Sequence, residues 1–397
     1  MRILIFSELL YPHGGGAELA TWLYSKLLAE KGFKITIVTS RFPNESSHEL
    51  LNGGIEIFRL PMKKIMFGTR YYTLVNMGVL ASNFVNKLIK QSEVIYVPCG
   101  WYSIIPIAKI YRKPVVVHLH NYSLVCPTSL MYDFIRQNVG PSSLKSFIVH
   151  GMVEKRLKTA LVVSSAIMNE FLGKYYNMLA TFADALIFVS KAQANLVLSK
   201  VPHLKEKSHV IYNPIPELPF IKAESKGIGY FGGRSFIKGF YVMMQALKYL
   251  GVNNITAYLT MTSEKPQTVK SKCKTTINFL PKVNPADIMK KITIVTIPSL
   301  CPEPSPYMLI ESMLYGKLIV ASNVGGIPEI VAGAHHFGVR LVKAGDYKEI
   351  ADILDSFLTL ELEEVNEIAL KNREFILQRF KNEETAKLFI SILEKQR

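Results

Sequence analysis

Short apolar runs that suit β-strands alternate with helix-like runs along nearly the whole chain. The strand candidates are rich in Val and Ile, and in the first half they are residues 3–6, 34–39, 55–60, 94–97, 115–119, 185–189 and 209–211. Helical patterns such as residues 17–31 and 77–90 separate them. Parallel strands need long crossover connections, usually helices, so this alternation predicts α/β architecture with parallel sheets.

A proline-rich segment interrupts the alternation, with Pro214, Pro216 and Pro219 close together. Such a segment is typical of an extended linker. Strand candidates then resume at residues 227–231, 255–260, 276–280, 292–297 and 318–321. We therefore expect two Rossmann-like α/β domains facing a central cleft, residues 1–213 and 214–374. The helical stretch 362–395 closes the chain, and its end, about residues 375–397, could dock back on the first domain.

Cysteine usage and hydropathy bear on the compartment. The four cysteines are scattered without a CxxC pair, which argues against a zinc ribbon and a disulfide framework (Cys99, Cys126, Cys273 and Cys301). The N-terminus runs directly into a strand, unlike a signal peptide. No uninterrupted apolar run is long enough to span a bilayer. These features predict a cytoplasmic protein.

The net charge of +16 is unevenly distributed. Residues 1–215 hold 24 Lys or Arg against 12 Asp or Glu, whereas residues 216–397 hold 23 against 19. A basic half indicates an anionic partner, and no nucleic-acid-binding module is recognisable. Residues 61–72 mix Lys63, Lys64 and Arg70 with aromatic side chains, which suits peripheral contact at the inner face of an anionic membrane. A basic loop beside a core-facing helix is the alternative.

Two glutamates are separated by seven residues in a distinctive context. Glu303 lies in a proline-rich loop after a strand candidate, and Glu311 falls on the following helix pattern. Amides at the helix start favour anions, while carboxylates accept hydrogen bonds from hydroxyls. Together these groups suit a nucleotide sugar, which carries both phosphates and hydroxyls. Two solvated glutamates on an amphipathic helix are the alternative.

A glycine-rich loop follows the first strand candidate of the second domain. Gly232 and Gly233 precede Arg234, and Lys238 is followed by Gly239 and a helix pattern. Arg engages a diphosphate in a fork and Lys adds a point charge. The loop is therefore predicted to bind a diphosphate, and the alternative is a turn with two solvated cations.

The first domain offers two further candidates at strand ends. Gly14, Gly15 and Gly16 precede a helix, where backbone can approach a ligand closely, although a plain tight turn remains the alternative. His118 and His120 share one face of a strand candidate, and His120 is nearer the carboxyl end. A neutral imidazole there could hydrogen-bond a substrate hydroxyl. A metal site is not indicated, because the sequence has no third ligand at a suitable spacing from these two histidines.

Taken together, these motifs resemble those of the retaining GT-B glycosyltransferases of family 4, over nearly the whole chain. The matching elements are Gly15-Gly16-Ala17-Glu18, His120-Asn121, Cys126-Pro127, Ala183-Asp184-Ala185 with Val189-Ser190, Asn213-Pro214, Arg234 with Lys238-Gly239, Glu303 with Glu311, and Gly325-Gly326-Ile327-Pro328-Glu329. Four departures stand out: Asn121 replaces Asp, Pro214 follows Asn213 where Gly is usual, Arg234 and Lys238 lie one residue closer than usual, and Pro304-Ser305-Pro306 replaces the commoner Gly-Phe-Gly or Pro-Phe-Gly.

The resemblance implies a role for each matching site residue. Arg234 and Lys238 would stabilise the departing diphosphate, and Glu303 would lie beside the donor sugar. Glu311 would accept hydrogen bonds from the ribose, and His120 would contact the sugar near its reacting carbon. The remaining donor contacts would come from backbone, at Gly15, Gly16, Ser305, Pro306, Tyr307 and Met308.

The function that follows is transfer of a hexose, with retention, from a UDP- or GDP-linked sugar to a glycan or lipid-linked acceptor. The resemblance implies neither a metal nor another cofactor, because cationic side chains and amides take the place of the metal. Two alternatives stay open. One is a non-catalytic nucleotide-sugar-binding protein on the same fold, and the other is a nucleotide-sugar epimerase.

Overall fold

The computed structural model describes residues 1–62, 75–98, 100–154, 159–261, 267–270, 275–281, 283–334 and 338–397. The chain divides into two compact units. The first contains Met1–Pro214 together with Lys381–Arg397, and the second contains Ile215–Phe380. The sequence places the boundary between residues 213 and 214 and the returning helix at about 375–397.

The first unit is built on an eight-stranded sheet. Its strands are β1 (Arg2–Phe6), β2 (Lys34–Ser40), β3 (His48–Leu51), β4 (Ile55–Leu60), β5 (Val94–Pro98), β6 (Val115–Leu119), β9 (Ala185–Phe188) and β10 (Ser208–Val210). They lie in the order β10-β9-β6-β5-β1-β2-β4-β3, and all neighbours are parallel except the hairpin pair β3 and β4. Strands β7 (Tyr132–Asp133) and β8 (Asn138–Val139) form a separate two-stranded ribbon.

Helices cover both faces of this sheet. They are α1 (Gly16–Glu30), α2 (Met77–Leu80), α3 (Asn83–Gln91), α4 (Ile104–Ile110), α5 (Leu144–Val153), α6 (Thr159–Thr181), α7 (Lys191–Leu198) and the last helix of the chain, α14 (Asn382–Lys395), with a 3-10 turn at Pro202–Lys207. Tyr24 of α1 and Tyr96 of β5 both contact Phe389 of α14, at ring-centroid distances of 4.6 and 5.0 Å. On the opposite face, Tyr102 packs edge-on against Tyr176 of α6. The inner strands are buried on both sides, as expected of a parallel sheet.

The second unit is built on a seven-stranded sheet. The strands are β11 (Gly227–Tyr230), β12 (Thr256–Thr260), β13 (Gln267–Lys270), β14 (Thr276–Leu280), β15 (Ile294–Ile297), β16 (Leu318–Ser322) and β17 (Val339–Val342). They lie in the order β13-β14-β12-β11-β15-β16-β17, and only β13 runs antiparallel within this described sheet. Its helices are α8 (Phe240–Tyr249), α9 (Ala286–Met289), α10 (Tyr307–Leu314), α11 (Ile327–Val331), α12 (Tyr347–Thr359) and α13 (Leu362–Arg379).

The direction of winding reverses once near the centre of each sheet. In the first, β1 has β2 on one side and β5 on the other, and in the second β11 lies between β12 and β15. Chain loops diverge at such a reversal, leaving a crevice at the carboxyl ends of the strands where α/β proteins bind ligands. The loops after β1 and β11 are the two glycine-rich motifs.

The prediction of two Rossmann-like α/β domains is confirmed. The sequence missed the edge strands β3, β13 and β17, because short edge strands carry little periodicity and depend on their partner. The helical pattern predicted over residues 77–90 is two helices, α2 and α3, and the Ser82 hydroxyl caps α3 by accepting from the Val85 amide at 3.3 Å. The final stretch is also two helices, which separate at Phe380.

Several sequence expectations concern residues that lie partly or wholly outside the described ranges. Of the segment expected at a membrane, residues 61–72, only Pro61 and Met62 are described, and Met62 packs in the core. Cys126 and Cys301 are buried free thiols, while Cys99 and Cys273 lie outside the described ranges. Among the helices described, none combines the length and the apolarity needed to cross a bilayer.

A buried lysine joins the interdomain linker to the second sheet. The Lys317 side chain is fully buried, and its ammonium donates to the Ile221 carbonyl oxygen at 2.7 Å. The Ile221 amide donates to the Tyr315 carbonyl at 3.1 Å, so the linker is held at two points. Burial lowers the pKa of Lys317 to about 8. The segment after the prolines is therefore part of the second unit.

The buried Lys317 should make stability depend on pH. Its charged form is disfavoured in the folded state, so the penalty is full below about pH 8 and disappears as pH rises past the unfolded value near 10.5. We expect the free energy of unfolding of the wild type, relative to Lys317→Met, to rise by roughly 1 kcal/mol per pH unit within this window. Denaturant unfolding of both proteins at about pH 7.5 and 9.5 measures this difference. A constant difference would show that Lys317 is not desolvated.

Candidate functional site

The loop after β11 is held by two side chains that sequence reasoning missed. The Tyr230 hydroxyl lies within donating distance of two carbonyl oxygens, at 3.0 Å from Gly233 and 3.3 Å from Lys238. The Thr260 hydroxyl, at the end of the neighbouring strand β12, accepts from the Gly233 amide at 3.1 Å. Tyr230 is the last residue of its strand, and that position before a glycine loop is the only sequence signal for its role. The loop is thereby fixed at both ends.

An ion pair connects this loop to the loop after β15. The Lys238 ammonium lies 2.6 Å from Oε1 of Glu303, and the Ser299 hydroxyl donates to the same oxygen at 2.7 Å. The Glu303 side chain is 8% exposed, whereas that of Lys238 is 41% exposed. One carboxylate oxygen thus receives both hydrogen bonds. Oε2 receives none from the described residues and can accept one from a ligand.

The backbone of Glu303 is fixed by the glycine pair of the later motif. The Gly326 amide donates to the Glu303 carbonyl oxygen at 2.7 Å. Gly325 has a φ of +57° and passes so close to Glu303 that a Cβ would overlap its backbone atoms. Gly325 and Gly326 of the Gly-Gly-x-Pro-Glu motif therefore hold the backbone segment that carries the Glu303 carboxylate.

The two loops also meet through their backbones. The Leu300 amide donates to the Ile237 carbonyl at 2.8 Å. Gly239 has a φ of +79°, and a Cβ there would overlap the Pro298 carbonyl. Both Lys238 and Glu303 are consequently set on rigid backbone at neighbouring strand ends.

Arg234 is placed differently from Lys238. It lies exposed on the same loop, and its guanidinium forms no hydrogen bond or ion pair with any residue that the structure describes. The structure therefore brings together Lys238 and Glu303 but not Arg234. An exposed guanidinium beside an ordered cation leaves five donors available to an anion.

Glu311 lies on helix α10, and Glu303 lies on the loop before it, as the spacing predicts. Pro306 precedes the helix, and Ser305 and Met308 are half-buried while Tyr307 is buried. The first amides of a helix have no intrahelical acceptor, so they can bind an anion. The Glu311 carboxylate receives no hydrogen bond from a described side chain or amide, and burial raises its pKa to about 6. In its ionised form it can accept a hydrogen bond from a hydroxyl group.

The glycine-rich loop of the first unit has an internal partner. The Gly15 amide donates to Oε2 of Glu18 at 2.7 Å, and Gly14 has a φ of +90°. Gly16 begins helix α1. Glu8, just after β1, was not singled out from sequence, and burial together with repulsion from Glu18 raises its pKa to about 7. Two carboxylates, those of Glu8 and Glu18, thus lie close enough at this loop to repel each other.

His118 lies in β6, and His120 lies directly after this strand. The His118 ring is fully buried, and its Nδ1 lies 2.8 Å from the Tyr96 hydroxyl. His120 follows the strand end, its ring centroid is 4.3 Å from that of His118, and its Nε2 is buried without a partner among the described residues. Burial lowers the pKa of His120 to about 3 and that of His118 well below its usual range. Burial therefore favours the neutral form of both imidazoles, and the Nε2 atoms of both rings are buried without a hydrogen-bond partner among the described residues.

Other motif residues of the first unit have structural contacts. The Asn121 side chain accepts from the Ser123 amide at 2.8 Å, which closes a local turn. Asp184 receives the Lys109 ammonium at 2.5 Å and the Val115 amide at 2.6 Å, at the start of β6. The Ser190 hydroxyl caps helix α7 by accepting from the Gln193 amide. Groups of three or more His, Cys, Asp or Glu side chains that could hold a metal are absent from the described ranges.

The close approach of Gly325 to Glu303 predicts a steep cost of substitution. Gly325→Ala should lower the free energy of unfolding by roughly 3 kcal/mol or more, because it adds overlap with backbone to the strain of a positive φ. Gly345→Ala is the matched control, since Gly345 has a φ of +86° but its Cβ would make only an ordinary contact at 3.7 Å. It should cost about 1 kcal/mol. Calorimetry of both variants tests this, and equal losses would contradict it.

The chain matches known protein families in both units. Residues 14–217 match the family model described as Glycosyltransferase Family 4, and residues 225–359 match the model described as Glycosyl transferases group 1. The first match spans just over half of the chain.

Individual proteins resemble the chain more distantly. It is 22% identical over 349 residues to the Klebsiella pneumoniae "Uncharacterized 42.6 kDa protein in cps region", and the match covers 83% of this chain and 87% of that protein. It is 23% identical over 133 residues to a subunit of the Arabidopsis thaliana phosphatidylinositol N-acetylglucosaminyltransferase, and that match covers 33% of this chain and 24% of the plant protein.

Among solved structures, Anabaena HepE in complex with UDP-glucose superimposes with a TM-score of 0.67 at 18% identity, and the match covers 100% of both chains. At this identity the superposition shows a shared fold. With the family match over residues 14–217, it identifies the chain as a GT-B glycosyltransferase that belongs to glycosyltransferase family 4.

Proposed function

We propose that the protein transfers a hexose, with retention of configuration, from a nucleotide-diphosphate sugar to a glycan or lipid-linked acceptor. The observation that carries the proposal is the ordered Lys238–Glu303 pair at the switch point of the second sheet, with Arg234 exposed on the same loop. The UDP-glucose bound to HepE, a protein of the same fold, favours a UDP-linked donor, with GDP as the other candidate.

The charges suit stabilisation of a leaving diphosphate. Negative charge grows on the diphosphate as the glycosidic bond breaks, and cations already fixed in place stabilise that charge without reorganisation. Lys238 is paired with Glu303, and its side chain is 41% exposed, so a phosphate can approach its ammonium group. Arg234 adds a fork of donors. These two side chains take the role that a metal has in other transferases, so we propose a metal-independent reaction.

The carboxylates would recognise hydroxyl groups. Glu303 offers its unused Oε2 to the donor sugar, and Glu311 offers a carboxylate that lacks a partner among the described residues to the ribose. Amides at Ser305, Tyr307 and Met308, with Pro306 shaping the helix start, would bind the sugar or phosphate.

In the first unit, His120 would contact the sugar near its reacting carbon. A neutral imidazole can accept or donate one hydrogen bond at Nε2, and burial keeps His120 neutral. Gly15 and Gly16 would bring backbone close to the phosphates or the acceptor. The Gly15 amide, which donates to Glu18, would then donate to the ligand instead. Glu8 adds a carboxylate of raised pKa beside this loop.

The acceptor is proposed from charge and from one relative. The first 215 residues hold twice as many basic as acidic side chains, which suits an acceptor on an anionic surface. The Arabidopsis relative is part of a transferase whose name includes phosphatidylinositol. We therefore favour a lipid-linked acceptor reached by peripheral contact with the cytoplasmic face of a membrane.

Nucleotide binding and turnover test the proposal together. UDP-sugars or GDP-sugars should raise the melting temperature, following mass action, and NMR of the product should show the donor's anomeric configuration retained. Lys238→Met should lower kcat by about a hundredfold or more, as loss of one transition-state donor does. Lys371→Met, an exposed lysine of α13, is the matched control and should leave kcat unchanged.

The outcomes separate the candidate functions. Stabilisation by a nucleotide sugar without transfer or hydrolysis would favour a non-catalytic binding protein. Inversion of the anomeric centre would overturn the retaining mechanism, and loss of turnover in EDTA would overturn metal independence. An unchanged kcat in Lys238→Met would remove this lysine from the diphosphate site.

Glu311 should make nucleotide affinity depend on pH. Its free-state pKa is about 6, and only the carboxylate accepts two hydroxyl hydrogens, so binding weakens as pH falls through this value. We expect the Kd for the nucleotide to rise about tenfold between about pH 7.5 and 5. Glu311→Gln should bind more weakly at the higher pH and show little pH dependence, whereas Glu367→Gln on exposed α13 should match the wild type. Calorimetric titration measures each Kd, and an unchanged profile in Glu311→Gln would exclude the assignment.

A further inference from the structure

Helix α6 packs its inner face into the core of the first unit. Leu172, Tyr176 and Leu179 are each at most 2% exposed and recur at helical spacing. Val162, near the start of the helix, lies so close to Gly151 of α5 that a Cβ on Gly151 would overlap its side chain. Helices α5 and α6 therefore form a tightly packed hairpin whose inner side is already covered.

The outer face of the same helix is also apolar. Ile167, Phe171 and Met178 are 63%, 70% and 50% exposed, and Phe182 just beyond the helix end is 55% exposed. The spacings of four, seven and four residues place these side chains on one stripe of the helix. A surface helix normally has one apolar face and one polar face, so a helix that is apolar on both sides is expected to be covered on both.

The exposed apolar surface extends beyond this stripe. About half of the large apolar side chains that are exposed in the described part of the chain lie between residues 135 and 182. On α5 they include Leu144, Met152 and Val153. A concentration of exposed apolar side chains of this kind marks a site of interaction with a protein or a membrane.

Charge identifies the occupant. The sequence of residues 134–182 contains six Lys or Arg and two Glu, and the three of these cations that lie within the described ranges, Arg136, Lys145 and Lys174, are exposed. Aromatic and aliphatic side chains bordered by cations suit the boundary between anionic headgroups and acyl chains. A second copy would bring the same positive charge against this face, and like charges oppose that pairing.

We propose that the outer face of the α5–α6 hairpin docks on an anionic lipid bilayer. The apolar stripe of α6 would enter the headgroup region while Lys145 and Lys174 contact lipid phosphates. The surface is separate in sequence from residues 61–72. It extends the membrane contact proposed above, and its test uses neither donor nor acceptor, so it can fail while the transferase function holds.

Vesicle sedimentation tests the proposal with the full chain. The wild type should bind vesicles of phosphatidylcholine with phosphatidylglycerol and bind pure phosphatidylcholine much more weakly. A double variant, Ile167→Ser with Phe171→Ser, should bind the anionic vesicles about tenfold more weakly, because two inserted apolar side chains are lost. The matched control is Leu370→Ser with Leu388→Ser, which removes two exposed apolar side chains from α13 and α14 and should bind as the wild type does.

A charge variant provides an independent test in case the double variant of Ile167 and Phe171 misfolds. Lys174→Glu leaves the apolar stripe intact and should weaken binding to anionic vesicles several-fold, with a loss that disappears at high salt. Undiminished binding by the Ile167 and Phe171 variant, or no binding by the wild type, would overturn the proposal. So would a dimer, seen by light scattering, that this variant dissociates, since a second copy would then cover the face.

Discussion

The parallel pairing of β11 with β15 sets the position of each charged group in the second unit's candidate site. Ile228 and Gly229 align with Ile294 and Val295, so both strands end at the same edge and their loops emerge side by side. One loop carries Lys238 and the other Glu303, and their side chains meet at 2.6 Å. No local sequence preference could bring together two residues 65 positions apart, so the pairing of the strands is what creates the site.

Burial assigns different tasks to the charged groups of this unit. Lys317 is buried with a carbonyl partner and serves the linker, and Glu303 is buried with Lys238 and Ser299 as partners. Glu311 is half-buried with no partner among the described residues, which costs stability unless a ligand supplies the hydrogen bonds. A buried polar group that lowers stability and has no structural partner is typical of a ligand-binding site.

The first unit combines two kinds of unused surface. At the carboxyl ends of β1 and β6 the unpartnered groups are polar: Glu8 has a carboxylate of raised pKa, and His118 and His120 each have a buried Nε2 without a described partner. On the α5–α6 hairpin the unused surface is apolar and bordered by cations. The first kind suits a sugar or acceptor hydroxyl, and the second suits a lipid surface. A transferase that acts on a lipid-linked acceptor needs both, which relates the two proposals without making one depend on the other.

By itself the sequence determined the α/β class, most inner strands and the placement of Glu303 on a loop and Glu311 on a helix. These features follow from short-range patterns: apolar runs, glycines at strand ends and the spacing of seven residues. Only the tertiary structure decided the edge strands β3, β13 and β17, the contact of Tyr96 with His118, the contacts of Tyr230 with the loop after β11, and the division of the last helices between two units. It also showed that Gly325 supports Glu303 and that α6 is apolar on both faces. Each of these depends on contacts between residues far apart in the chain, and such contacts leave no periodic signal in the sequence.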